Sequence, residues 1–177
     1  MKIIFTDLTG IINCDTTNKS IPEMLRKDPS EMYSNYIDMN ALGRLHTIMD
    51  KTGGQLVFTE YGIGQIFSSD NTHMKELKKA YEKAFNYLRL PYLGLIPDSV
   101  DGKIGGIDRF IKLYKQEHPD EEIESFVILT NDTVYHTYEI YDFSDRIIRI
   151  PIHIGLQEYN VNAAVHVLND PEFKYGK

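Results

Sequence analysis

Cysteine occurs once in this sequence, at Cys14. A lone cysteine excludes an intrachain disulfide and any multi-cysteine zinc site, and here it reads as a minor thiol in a polar loop. Basic residues are in deficit, with 19 Lys and Arg against 26 Asp and Glu, for a net charge of -7. That balance argues against a general nucleic-acid-binding surface, because phosphate contacts need clustered cations; a local basic patch is compatible with it. Long apolar runs are missing as well. No segment approaches the length of a membrane span, and the run after Met1 is too short for a signal peptide. The expectation is a cytoplasmic protein with no membrane association. There is no internal repeat, low-complexity tract or interdomain linker, so residues 1–177 are expected to form one domain, long enough for a substantial core.

What is present is a series of short apolar runs, each stopping at a polar residue. Ile3-Ile4-Phe5 begins almost at once and stops at Asp7, with Gly10 free to turn the backbone away. A run this short and this apolar reads as a strand buried on both faces, the kind found inside a parallel sheet. Asp7 then lies just past the carboxyl end of a strand, where open α/β sheets place their ligand crevice. Leu56-Val57-Phe58 ends in the same manner at Thr59, and Phe126-Val127-Ile128-Leu129 ends at Thr130-Asn131-Asp132.

Helical patterns separate these runs. Asp38 is placed to cap a helix carrying Met39, Leu42, Leu45 and Met49, which Thr52-Gly53-Gly54 ends. A second runs from about Thr72 to Leu88, with Met74, Leu77, Tyr81, Ala84 and Leu88 on one face and its Lys and Glu residues outside. Lys103 precedes a third, with Ile104, Ile107, Ile111 and Tyr114 at the expected spacing; Gly105 and Gly106 weaken its start. A short strand is expected within Leu90–Ile96 and another at Ile147–Ile152. Gly155 precedes a last helix with Val161, Ala164, Val165 and Leu168. The alternation predicts an α/β fold with a mostly parallel central sheet flanked by helices. Residues 11–37 are polar and turn-rich, and read as a small insertion after the first strand, able to act as a cap or lid.

Three strand ends thus carry polar groups: Asp7 with Thr9, Thr59, and Asn131 with Asp132. Converging carboxylates at a sheet edge can bind Mg²⁺, which prefers oxygen ligands and keeps several waters. A hydroxyl and an ammonium can hold the oxygens of a phosphoryl group. A carboxylate can also be a covalent nucleophile, forming an aspartyl phosphate. Elsewhere the signals are bland. His46 reads as a surface or satisfied histidine, and His136, His153 and His166 lack zinc-binding spacing with one another. Gly62-Ile63-Gly64 is too short for a dinucleotide fingerprint. The tyrosines are scattered rather than interleaved with a basic patch.

Phe5-Thr6-Asp7-Leu8-Thr9-Gly10-Ile11-Ile12-Asn13 resembles the first motif of the haloacid dehalogenase (HAD) superfamily. It is similar in particular to a branch of small HAD domains, including those of RNA-repair proteins, whose first motif reads Asp-x-Asp-Gly-Val-Leu-Asn. Met39–Thr59, Leu90–Asp98, Lys103–His118 and Phe126–Asp132 resemble successive segments of that branch. The resemblance implies a Rossmann-like HAD fold and Mg²⁺-dependent phosphoryl transfer on a small phosphorylated substrate. Asp7 would be the nucleophile and a metal ligand, and the Thr9 carbonyl a second ligand. Thr59 would bond a phosphoryl oxygen, and Lys103 would neutralise charge on the aspartyl phosphate. Asp132, with or without Asn131, would complete the metal site.

The sequence departs from that pattern at telling places. Thr9 stands where most HAD phosphatases carry the aspartate that serves as general acid and base; P-type ATPases also have threonine there. Thr130-Asn131-Asp132 replaces a fuller run of acids, and Glu60-Tyr61 replaces a Ser-Trp-Arg type of sequence. Threonine cannot protonate a leaving alkoxide, and losing general acid–base help costs on the order of 100- to 10,000-fold in rate. Two expectations follow: a HAD-like phosphatase or phosphotransferase, or a catalytically weakened HAD domain that binds Mg²⁺ and a phosphate ligand, or a protein partner.

Overall fold

The chain is seen in a computed structural model that describes residues 1–14, 37–59, 72–96, 99–131 and 141–175. Its centre is β1 (Lys2–Thr6), in which Ile3, Ile4 and Phe5 have no exposed surface. A strand covered on both faces needs neighbours on both sides. β2 (Gln55–Phe58) and β4 (Ser125–Thr130) supply them, with β3 (Tyr92–Leu95) and β5 (Ile147–Arg149) outside. The order is β3-β2-β1-β4-β5 and every pairing is parallel, a Rossmann-like arrangement.

Side chains alternate between two cores. Ile4, Leu56, Phe58, Val127 and Leu129 face one side, packed by α1 (Met39–Thr52), α2 (Thr72–Leu88) and α4 (Glu158–Asn169). Ile3, Phe5, Val57 and Ile128 face the other, packed by Ile104 and Ile107 of α3 (Gly102–Glu117). Among the described residues no helix is long and apolar enough to cross a membrane.

The helix boundaries follow their local chemistry. Asp38 accepts from the N–H groups of Asn40 and Ala41 at 2.9 and 3.1 Å, and α1 stops at Gly53, whose φ is +69°. Its buried stripe is Ala41, Leu42, Leu45 and Ile48, whereas Met39 is exposed and Met49 half-buried. The helix is therefore turned from the phase that the two methionines suggest. α3 runs straight through Gly105 and Gly106. A Cβ at position 105 would lie 2.3 Å from Ser99 Oγ and 2.7 Å from Asp101 Cβ, so the turn before α3 folds close against the helix there. The cost of glycine in a helix is accepted for that close approach.

Three expectations need correction. The last strand ends at Arg149 instead of Ile152, because Pro151 opens a turn that accepts from Ile154 and Gly155 at 3.0 and 3.2 Å. Cys14 is not a polar-loop thiol: it is buried, 3.3 Å from where a Cβ on Gly155 would stand. Ile11, Ile12 and Ile37, counted at the ends of the insertion, belong to the core. The remainder of the expected lid, residues 15–36, lies outside the described residues.

Candidate functional site

Strand register builds the site. Thr6 pairs with Phe58 on one side and Leu129 on the other. One residue further along all three strands come Asp7, Thr59 and Thr130, side by side. In parallel strands laterally aligned residues share a face, and these three continue the row of Phe5, Val57 and Ile128 above α3. The backbone keeps this alignment past the strand ends. Asp7 N–H donates to the Leu129 carbonyl at 3.2 Å, and Thr59 N–H donates to the Thr6 carbonyl at 3.0 Å.

The row places two hydroxyls against one carboxylate. Thr59 Oγ1 donates to Asp7 Oδ1 at 2.5 Å, and Thr130 Oγ1 donates to Asp7 Oδ2 at 2.7 Å. Lys103, in the first turn of α3, reaches up the same face; its Nζ donates to Asp7 Oδ2 at 2.7 Å and to Thr130 Oγ1 at 3.1 Å. Asp7 is 2% exposed and Lys103 18%. A carboxylate this buried requires an opposite charge and satisfied lone pairs, and these three donors meet both needs. Asp7, Thr59 and Lys103, singled out in the sequence, are thus brought together.

Thr130 is the member that sequence reasoning passed over. It was visible as the residue ending the third apolar run, but a threonine at a strand end carries no signal of its own. Its role appears only when β4 is set beside β1.

The turn after β1 shapes the other half. The Leu8 carbonyl accepts from Ile11, Ile12 and Asn13, and Gly10 takes φ +77°. Asn13 locks the turn: its Oδ1 accepts from Gly10 N–H at 3.1 Å and its Nδ2 donates to the buried Tyr81 hydroxyl at 2.9 Å. The turn presents the Thr9 carbonyl to Asn131, whose Nδ2 donates to it at 2.7 Å. A side chain at position 10 would intrude, since its Cβ would lie 2.6 Å from that same Nδ2. Asp132 lies outside the described residues.

The donor set bears on Mg²⁺. The described site offers one carboxylate, Asp7, whose charge Lys103 already balances. Its remaining oxygens are neutral: the Thr9 carbonyl, engaged by Asn131, and the Asn131 amide oxygen. No group of three or more His, Cys, Asp or Glu able to hold a metal occurs among the described residues. Mg²⁺ is ordinarily held by one or two carboxylates with waters and substrate phosphates. The described residues alone do not fit it, and a second carboxylate would have to come from Asp132.

What the described arrangement offers is a buried carboxylate beside an ammonium and two hydroxyls, at the carboxyl edge of a parallel sheet. Those donors suit the oxygens of a tetrahedral oxyanion. Compared with protein-family models, with curated proteins and with solved structures, the chain gives no match.

Proposed function

We propose that this protein transfers or hydrolyses phosphoryl groups through Asp7, as a HAD-like phosphatase or phosphotransferase. The observation that carries the reading is the convergence of Thr59, Thr130 and Lys103 on the Asp7 carboxylate. Oδ2 holds two donors and Oδ1 one, so Oδ1 is the oxygen better placed to attack. In the first step Oδ1 bonds to phosphorus and the P–O bond to the leaving group breaks. The leaving oxygen departs with the electron pair and takes its proton from solvent. The Thr59 hydroxyl has a single proton, which turns from Oδ1 to a phosphoryl oxygen. Lys103 stays on Oδ2 and offsets the charge gathered on the aspartyl phosphate. Water then attacks phosphorus, restoring the carboxylate and releasing phosphate and a proton.

Thr9 supplies no acid for this sequence. Substrates with good leaving groups, such as aryl phosphates, should turn over measurably better than alkyl phosphates. Thr9→Asp should raise activity on alkyl phosphates roughly 10-fold. The direct test is covalent labelling by acetyl phosphate carrying labelled phosphorus. Wild type should gain acid-stable, hydroxylamine-labile label, and Asp7→Asn should gain none; label in both, or in neither, would sink the reading.

A second reading is favoured by the Asn131–Thr9 contact and the single described carboxylate. In it the domain binds a phosphate ligand, Mg²⁺ or a protein partner without efficient turnover. Mg²⁺ enters either reading through Asp132. It should raise the melting temperature by mass action, and less in Asp132→Asn. Equal shifts would remove Asp132 as a ligand. The cytoplasmic setting expected from the sequence goes with both readings.

A further inference from the structure

The outer face of α2 carries a surface that the Asp7 site does not use. Tyr81, Ala84 and Phe85 are buried in the core, with Leu88 packed against it. Directly opposite, Lys75, Lys79, Lys83 and Tyr87 follow at steps of four residues and are all exposed, Tyr87 at 77%. Steps of four place successive groups about 6 Å apart along the axis, turning slowly around it. The segment from Lys75 to Arg89 holds Lys75, Lys78, Lys79, Lys83 and Arg89 against Glu76 and Glu82. It is a basic stretch in a chain whose net charge is -7.

The stripe leads into a groove. Arg89 follows α2 with φ +52° and is exposed. It lines an open cavity of about 540 Å³ together with Tyr92, Leu93, Gln55, and the paired His46 and Asp50. Tyr92 rests against Phe58 with its ring centre 5.2 Å away and is 43% exposed. Because α2 follows β2 and returns to β3, the stripe runs from the sheet edge that bears Asp7 to the opposite edge.

We infer that α2 and this groove form a binding surface for single-stranded nucleic acid. Most tyrosines are scattered, but here the helix and the strand after it gather two of them beside a basic stripe: one lysine per turn makes a track one phosphate wide, and Tyr87, with Tyr92 and Arg89 beyond it, offers faces on which unpaired bases can stack. A duplex keeps its bases stacked inside and has no face to give a tyrosine. An anionic membrane fits less well, because among the described side chains of α2 Tyr81, Ala84 and Phe85 are spent in the core, and Tyr87 is the one large exposed group there that could insert. The acidic remainder of the chain confines binding to low or moderate salt.

The test is fluorescence anisotropy with a labelled 12-nucleotide single strand of mixed sequence, at several salt concentrations. Three to four phosphate contacts predict a slope of log K against log salt of about -2 to -3. Lys79→Glu/Lys83→Glu should weaken binding at least 10-fold and flatten the slope, and Tyr87→Ala should weaken it about 5-fold or more. The matched charge change Lys112→Glu/Lys115→Glu, on exposed positions of α3, should have little effect. Far-UV circular dichroism and melting temperature verify that each variant is folded, as expected for exposed positions. The inference is overturned by absence of binding, by equal loss in the α2 and α3 variants, or by tighter binding of the corresponding duplex. It is also overturned if phosphatidylserine vesicles bind while the single strand does not.

Discussion

Replacing Lys103 with methionine probes the electrostatics of the site most directly. The ammonium stands 2.7 Å from a carboxylate that is 2% exposed. Removing one partner of a buried ion pair leaves an uncompensated charge, which costs about 3–5 kcal/mol. Two features put this pair at the low end. Lys103 is 18% exposed, so water reaches one side of the pair, and the Thr59 and Thr130 hydroxyls continue to donate to the carboxylate. The expected loss for Lys103→Met is about 3 kcal/mol, or about 6–12 °C in Tm for a chain of this length. Asp7→Asn keeps the shape and removes the charge. Lys103 then retains Thr130 and solvent, so the expected cost is only about 1 kcal/mol. In Asp7→Asn/Lys103→Met both charges are gone, and the total should stay within about 1 kcal/mol of Asp7→Asn alone, a coupling of at least about 2 kcal/mol. Urea unfolding at fixed pH and ionic strength measures all four proteins, with stability taken from the midpoints at a common slope. Additive losses, or a Lys103→Met loss below about 1 kcal/mol, would refute the argument that this ammonium is what permits Asp7 to be buried as an anion.

Thr130→Val removes the hydroxyl that touches both Asp7 and Lys103 and should cost about 2 kcal/mol in the same assay, while Thr130→Ser should recover most of it. No difference between valine and serine would mean that the hydroxyl is not needed. Gly10→Ala places a side chain at φ +77° and 2.6 Å from Asn131 Nδ2. The left-handed backbone and the displaced amide together should lower stability by about 2 kcal/mol. A change in Tm under about 2 °C would show that the turn after β1 relaxes freely.

The legible parts of this molecule are those written in local patterns. β1 and its terminal carboxylate stood out because three consecutive apolar residues stop at Asp7. Both ends of α1 were marked by their caps, Asp38 and Gly53. The phase of α1 is harder to read, since Met39 and Met49 satisfy helical spacing about as well as Ala41 and Ile48 do, and only packing in the folded core, against the sheet and its neighbouring helices, chooses between them. Cys14 reads as a polar-loop thiol from its sequence neighbours, which say nothing of Gly155, brought against it from a distant part of the chain. Thr130 and the Asn131–Thr9 contact were hidden for the same reason. Both depend on β4 lying next to β1, a pairing between residues more than 120 positions apart that periodicity does not encode.

That central position of β1 also governs the order in which the fold can be completed. During synthesis β1 has only β2 to pair with until β4 has been made. The interval from Phe58 to Ser125 is roughly 70 residues, on the order of 10 s at typical elongation rates. Through that time one edge of an apolar strand is open, a template for pairing with other chains. Closing it joins segments far apart in sequence, which makes folding slow for the size of the protein. The Asp7–Thr130 contact cannot exist before that closure. An intact site therefore certifies that the last central strand has docked, and the nascent chain is most exposed to aggregation while the site is still missing its third strand.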